Sequence, residues 1–270
     1  MSKVAHLLRV YRAQFWVSLR VQLQYRIAAA IWMIGAMITP VVLLTVWATV
    51  ARERGGVVDG LGVADFAAYF LVLMFLQHLT FTWIMWEYDY RVRQGLLSSV
   101  LLKPIHPIHA DIMENIAYKL IGLVLLVPVA GVLVWAYRPN FNLQLFNILL
   151  FIPVFFFTFA LRFMVGYTLA LAAFWTNRIR AINSIYFLFF FFLGGRFAPL
   201  ALLPPVLQTI ANLLPFKWMI AYPVELLLGR YTHAEAVQGL LIQSAWTVVI
   251  YCLFRFMWQR GTRKYAAYGS

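Results

Sequence analysis

LFNILLFIPVFFFTFALRFMVGYTLALAAFW, residues 145–175, is a 31-residue run with a single charged side chain, Arg162. The hydrocarbon core of a bilayer is about 30 Å thick, and a helix rising about 1.5 Å per residue crosses it in about 20 apolar residues. A core helix of a soluble protein keeps one polar face for water, and this run has none. It reads as a transmembrane helix with length to spare, predicted to tilt or to bend at Pro153.

Working outward, similar apolar blocks occupy residues 27–50, 66–88, 115–137 and 237–258. The whole 270-residue chain is 64% hydrophobic and 11% charged, against about 25% charged in ordinary soluble proteins. The fold class is therefore an all-α integral membrane protein. Trp83, Trp86, Tyr88 and Tyr90 at the end of the second block form an aromatic belt suited to a water interface. Before the first block, residues 4–24 place Val4, Leu7, Leu8, Tyr11, Phe15 and Leu19 on one helical side and Arg9 and Arg20 on the other. This predicts an interfacial amphipathic helix within a segment 1–26, ahead of a transmembrane domain 27–258 and a tail 259–270.

The fifth block breaks the pattern. Residues 181–195 would span on the order of 22 Å as a helix, short of the hydrocarbon thickness. Arg196 follows, and then APLALLPPVLQTIANLLPFKWMIAYP, residues 198–223, which carries Pro199, Pro204, Pro205, Pro215 and Pro223. Each proline removes a backbone donor and clashes with the preceding helical turn, so residues 197–224 cannot be one helix. Irregular backbone at membrane depth persists only against protein or a wet cavity. The segment reads as re-entrant outer helices, and the architecture as six transmembrane helices.

Orientation follows from the basic residues. With six crossings and the amino terminus inside, fourteen Lys and Arg fall on the inner side and six on the outer side. That asymmetry puts both termini in the cytoplasm of a multi-pass protein of the cell membrane. The first 26 residues carry Lys3, Arg9, Arg12, Arg20 and Arg26 without the short apolar core of a secretory signal, so the amino terminus is expected to be retained. The net charge of +13 is scattered between apolar blocks. This fits loops held at an anionic leaflet, with the lipid bilayer as partner and no nucleic acid. The single cysteine, Cys252, allows no intramolecular disulfide.

No G-x-x-x-x-G-K-[ST] loop, H-E-x-x-H or G-x-S-x-G occurs, so neither catalytic nor cofactor-binding residues are expected in this chain. His106 and His109, near Asp111 and Glu114, lack a third ligand at fixed spacing and read as a loop and helix start, with no metal site. Arg162, at the middle of its block, is a candidate for lining a translocation path or for pairing with Glu87 or Glu225. Glu225, in the broken outer region, is a second path candidate and a partner for Lys217 or Arg230. Lys119 is expected to reach toward the headgroups.

The inner stretch WEYDYRVRQGLLSSVLLKPIHPIH, residues 86–109, stands out. A charged entry, a break at Gly95, the run Leu96–Leu102 and the prolines Pro104 and Pro107 describe a short helix lying across the membrane face. Stiffly joined to two spans, it can pass force from a soluble partner to both. Arg93, Gly95 and Leu97, followed by Leu101, Leu102, Lys103, Pro104 and Pro107, resemble the coupling-helix region of type-2 ABC exporter permeases, closest to the viologen and multidrug efflux subgroup. The proline-broken outer stretch is similar to the re-entrant helices of that family.

The resemblance implies a permease that contacts cytoplasmic ABC ATPase subunits through Arg91, Arg93, Gln94, Gly95, Leu96, Leu97, Lys103, Pro104 and Pro107. It implies ATP and magnesium on that partner, and a second six-span permease, related but not identical. The cargo would be a hydrophobic or amphiphilic small molecule. Two other readings stay open: an ion-coupled secondary transporter, which lacks the midplane acids such a protein needs, and a lipid-modifying enzyme built on His106, His109, Asp111 and Glu114.

Overall fold

The computed structural model describes residues 3–103, 106–176 and 178–268. It is built almost wholly of helices. Helix α1 (Lys3–Gln24) is followed after one residue by α2 (Arg26–Glu53). A small antiparallel hairpin, β1 (Val57–Val58) and β2 (Leu61–Gly62), fills what the sequence suggests is a plain loop. Its turn residues Asp59 and Gly60 both take positive φ, the backbone state that primed hairpin turns require.

Next come α3 (Val63–Thr80), α4 (Ile84–Arg93), α5 (Leu97–Leu101), α6 (Pro107–Tyr137) and α7 (Leu145–Leu171), the last extended by a 3-10 turn at Ala172–Phe174. The 15-residue α8 (Ile179–Leu193) leads into a 3-10 turn at Leu200–Leu202 and three short helices, α9 (Pro205–Leu213), α10 (Pro215–Met219) and α11 (Ala221–Leu227). The 36-residue α12 (His233–Tyr268) closes the chain.

Among the described residues, five segments are long and apolar enough to cross a membrane: Arg26–Glu53, Val63–Arg93, Pro107–Tyr137, Leu145–Phe174 and His233–Lys264. Together they make an all-α membrane protein. Pro40, Pro128 and Pro153 all lie inside uninterrupted helices, as membrane helices tolerate when neighbours resupply the lost bonds. The bend expected at Pro153 does not break α7. The interruption falls instead in the second segment, where Phe81–Trp83 leave the helix between α3 and α4 without any proline.

The core gathers around α3, whose Phe66, Ala67, Ala68, Tyr69, Phe70, Leu73 and Leu76 are enclosed by α2, α7, α11 and the outer helices. Helix α12 lies along α7, and α1 along α6. The half-buried face of α1 holds Tyr11, Phe15, Ser18 and Leu19, whereas Leu8 is 63% exposed and points away from it. Large apolar side chains such as Trp32, Val124, Trp135 and Phe156 cover the outside, the surface a bilayer or a second membrane subunit requires.

Candidate functional site

The inner segment is shaped residue by residue. Helix α4 ends at Arg93, and Gly95 takes φ +69°, a left-handed conformation that costs other residues strain. The chain then turns into α5, five residues long, whose Leu97 is fully enclosed against Ile84, Met85, Tyr88, Phe163, Tyr167 and Phe254. Arg93, Gln94, Gly95, Leu96 (45% exposed), Leu102 (86% exposed) and Lys103 face outward. Pro104 lies outside the described residues. Pro107 is buried at the first turn of α6, where its missing N–H costs nothing. The His106 ring accepts the Ile108 N–H at 3.2 Å and so caps α6. Burial and the neighbouring His109 push the His106 imidazole below the usual histidine range.

A brace closes the base of this segment. Arg91, just before it, donates to Asp111, just after it, at 2.9 Å, and to Glu87 at 3.0 Å. The other oxygen of Asp111 accepts the Tyr167 hydroxyl of α7 at 2.6 Å, and Tyr167 in turn touches the Tyr88 hydroxyl. Helices α4, α6 and α7 therefore meet on one carboxylate. The exit of the segment is also fastened. His106 packs on Trp258 of α12, with ring centroids 4.3 Å apart, and His109 meets the Tyr11 hydroxyl of α1. The segment that holds α5 is thus fastened to α1, α7 and α12 by side-chain contacts. Reading along the sequence misses this brace, although one signal is there: a cation and a carboxylate flank the segment symmetrically at Arg91 and Asp111.

The buried charges at mid-molecule differ from expectation. Arg162 is 5% exposed and bonds neither Glu87 nor Glu225; its Nη1 donates to the Thr80 hydroxyl, and its guanidinium lies over the Phe190 ring. Lys119 does not reach outward either. At 6% exposed, its Nζ donates to the Phe81 carbonyl at 2.9 Å and lies over Phe159. Both corrections have one cause. The interruption at Phe81–Trp83 ends α3 inside the bundle, and the carbonyl end of a helix carries a partial negative charge. Cations from α6 and α7 fill that place. Glu225 is buried too, and its partner is the Tyr231 hydroxyl at 2.5 Å rather than Lys217 or Arg230. Lys217 bonds Asn212 at 2.6 Å, while Arg230 lies over the Tyr69 ring. Arg162 and Glu225 therefore do not come together as one site.

Among the described residues, no group of three His, Cys, Asp or Glu side chains forms a metal-binding set. The arrangement offers an exposed short helix tied to the helix bundle. No curated protein matches the sequence. A family model described as ABC-2 family transporter protein matches residues 37–269, most of the chain, and the chain therefore belongs to that family as a membrane permease component of an ABC transporter.

Proposed function

We propose that the chain is one half of the membrane pathway of an ATP-driven exporter, with hydrolysis supplied by separate cytoplasmic ABC ATPase subunits. The observation that carries this reading is α5. It is anchored by the enclosed Leu97, presents Gln94, Leu96, Leu102 and Lys103 outward, and is stapled at its base by the Arg91–Asp111 pair. An exposed patch on so short a helix has little structural purpose of its own, but it suits a groove on a moving partner. Family membership supports the association with ATPase subunits.

In this reading α8 is a sixth, short crossing, both termini are cytoplasmic, and α9–α11 are re-entrant at the outer surface. A second six-span chain, related but not identical, completes the pathway, and the cargo is a hydrophobic or amphiphilic small molecule. ATP-driven closure of the partner presses on α5, and the brace carries that motion into α4, α6 and α7.

The test is to extract the native complex in mild detergent, identify its subunits and follow vesicle export. Co-purification of an ABC ATPase and export that needs ATP are expected. Export by this chain alone in ATP-free vesicles would overturn the reading.

A further inference from the structure

Three cations crowd the interior without an acid to match them. The Arg162 guanidinium lies 5.1 Å from the Phe190 ring centroid, and that of Arg196 lies 5.3 Å from the same centroid. Lys119 stands beside them, close over Phe159, one turn of α7 from Arg162. Among the described residues, no carboxylate comes within 4.0 Å of any of the three. The carbonyl ends of α3 and α8 supply partial negative charge, but only about half an elementary charge per helix end. Against the two guanidinium charges alone, a positive excess is left inside the protein.

The donors are also underused. A guanidinium carries five N–H donors in a planar fork. Among the described residues the Arg162 side chain makes one hydrogen bond, to Thr80, and the Arg196 side chain makes none. Tyr186, stacked on Phe190, has only the weak acceptor Met219 Sδ at 3.9 Å for its hydroxyl. Two turns toward the inner end of α8, on the same face as Phe190, Asn183 is buried with both amide atoms unpartnered among the described residues. The opposite face of α8 exposes Ile185, Leu188, Phe189 and Phe192. Charged forks and spare neutral donors on one face of α8, with exposed apolar side chains elsewhere on the same helix, fit one class of ligand.

We propose that Arg162 and Arg196, both within contact of the Phe190 ring, bind the anionic headgroup of an amphiphile, whose apolar body lies along α8. Arginine forks bind phosphate and carboxylate through paired, charge-assisted hydrogen bonds. An anion there neutralises the buried excess, whereas a dication of the viologen type meets repulsion. The site itself stands apart from the exporter reading; only its use as a cargo site rests on that reading.

The experiment uses the full chain in phosphatidylcholine nanodiscs, without ATP or ATPase. Dodecyl phosphate and dodecyltrimethylammonium, alike in tail and opposite in charge, are titrated against tryptophan fluorescence. Dodecyl phosphate is expected to bind at least about tenfold more tightly, since charge-assisted bonds carry that much discrimination. Arg162→Gln disturbs an enclosed side chain, so the part-exposed Arg196 carries the test: Arg196→Gln removes the preference, and Arg196→Lys keeps most of it. Equal affinity for the two probes, or a preference unchanged in Arg196→Gln, overturns the proposal.

Adding phosphatidic acid to the nanodiscs separates the sources of such a headgroup. Competition with dodecyl phosphate supports a membrane lipid at the site, and its absence supports a free amphiphile. Anion binding without any co-purifying ATPase would sink the exporter reading and leave the site. ATP-dependent export without anion preference would do the reverse.

Discussion

The inner end and the middle of the molecule use charge in opposite ways. At the inner end, Arg91, Glu87 and Asp111, with Arg93 and Asp89, form ion pairs 2.7–3.0 Å long that tie one helix to the next or one turn to another. In the middle, Arg162 and Lys119 face a hydroxyl, a carbonyl and aromatic rings. A buried cation and its carboxylate hold a fixed geometry, and removing either partner is costly. A buried cation met only by neutral groups keeps part of its field for something else. The first arrangement fixes one helix to another, and the second leaves charge unspent beside a helix end.

That contrast can be broken from its inner side first. Leu96→Asp puts a charge on the exposed patch of α5 without touching the enclosed Leu97, and Gly95→Pro forbids the positive φ at the turn. Each is expected to abolish ATP-dependent transport in vesicles while membrane insertion stays intact. Asp111→Ala comes next. It strands the half-buried Arg91 and the Tyr167 hydroxyl, and a loss of about 3 kcal/mol is expected from denaturant unfolding in micelles. Tyr167→Phe removes the hydroxyl that bonds Asp111 and Tyr88 in the same brace and should cost about 1–2 kcal/mol.

The middle responds to volume rather than charge pairing. A Cβ on Gly122 would stand 2.2 Å from the His78 ring, which is bonded to the Lys119 carbonyl. Gly122→Ala should therefore cost roughly 2 kcal/mol by overpacking. Gly131→Ala on the same helix, whose Cβ meets nothing within 4 Å, is the control and should be close to neutral.

The smallest effect concerns pH. His106 caps α6 only while its ring nitrogen is unprotonated, and its folded-state pKa lies below the ordinary value. The cap's contribution is therefore present above about pH 6.5, the ordinary histidine value, and fades as pH falls toward the depressed folded value. A loss of roughly 1 kcal/mol is expected. A flat melting temperature between neutral and acidic pH would show that the cap does not govern the helix start, and His106→Asn should keep the cap while removing the pH response.

The contrast also separates what the sequence reveals from what it hides. Long apolar runs mark the helices because lipid and a packed interior both demand apolar side chains, and Gly95, Pro104 and Pro107 mark the inner turn because backbone geometry is local. The proline clusters at Pro204–Pro205 and Pro215 likewise coincide with the starts of α9 and α10. The interruption at Phe81–Trp83 has no such marker, since residues Thr80–Trp83 contain neither glycine nor proline. Its stability comes from Lys119, 38 positions away. Arg162 invites a carboxylate partner on paper, but the bundle offers a helix end. The Arg91–Asp111 pair depends on two helices folding back across a separation of 20 positions, a tertiary fact that no short pattern encodes.

The brevity of α8 bears on how the protein is made. A 15-residue, mostly apolar helix that contains Arg180 and Asn183, with Arg178 just before it and Arg196 just beyond its end, is a weak signal for membrane insertion. The nascent chain cannot rely on it in isolation. Its burial needs α7, already synthesised, and the short helices α9 and α10 that follow it in the chain. Chains truncated before Pro205 are left with this segment short of that support, and quality-control proteases will meet them first.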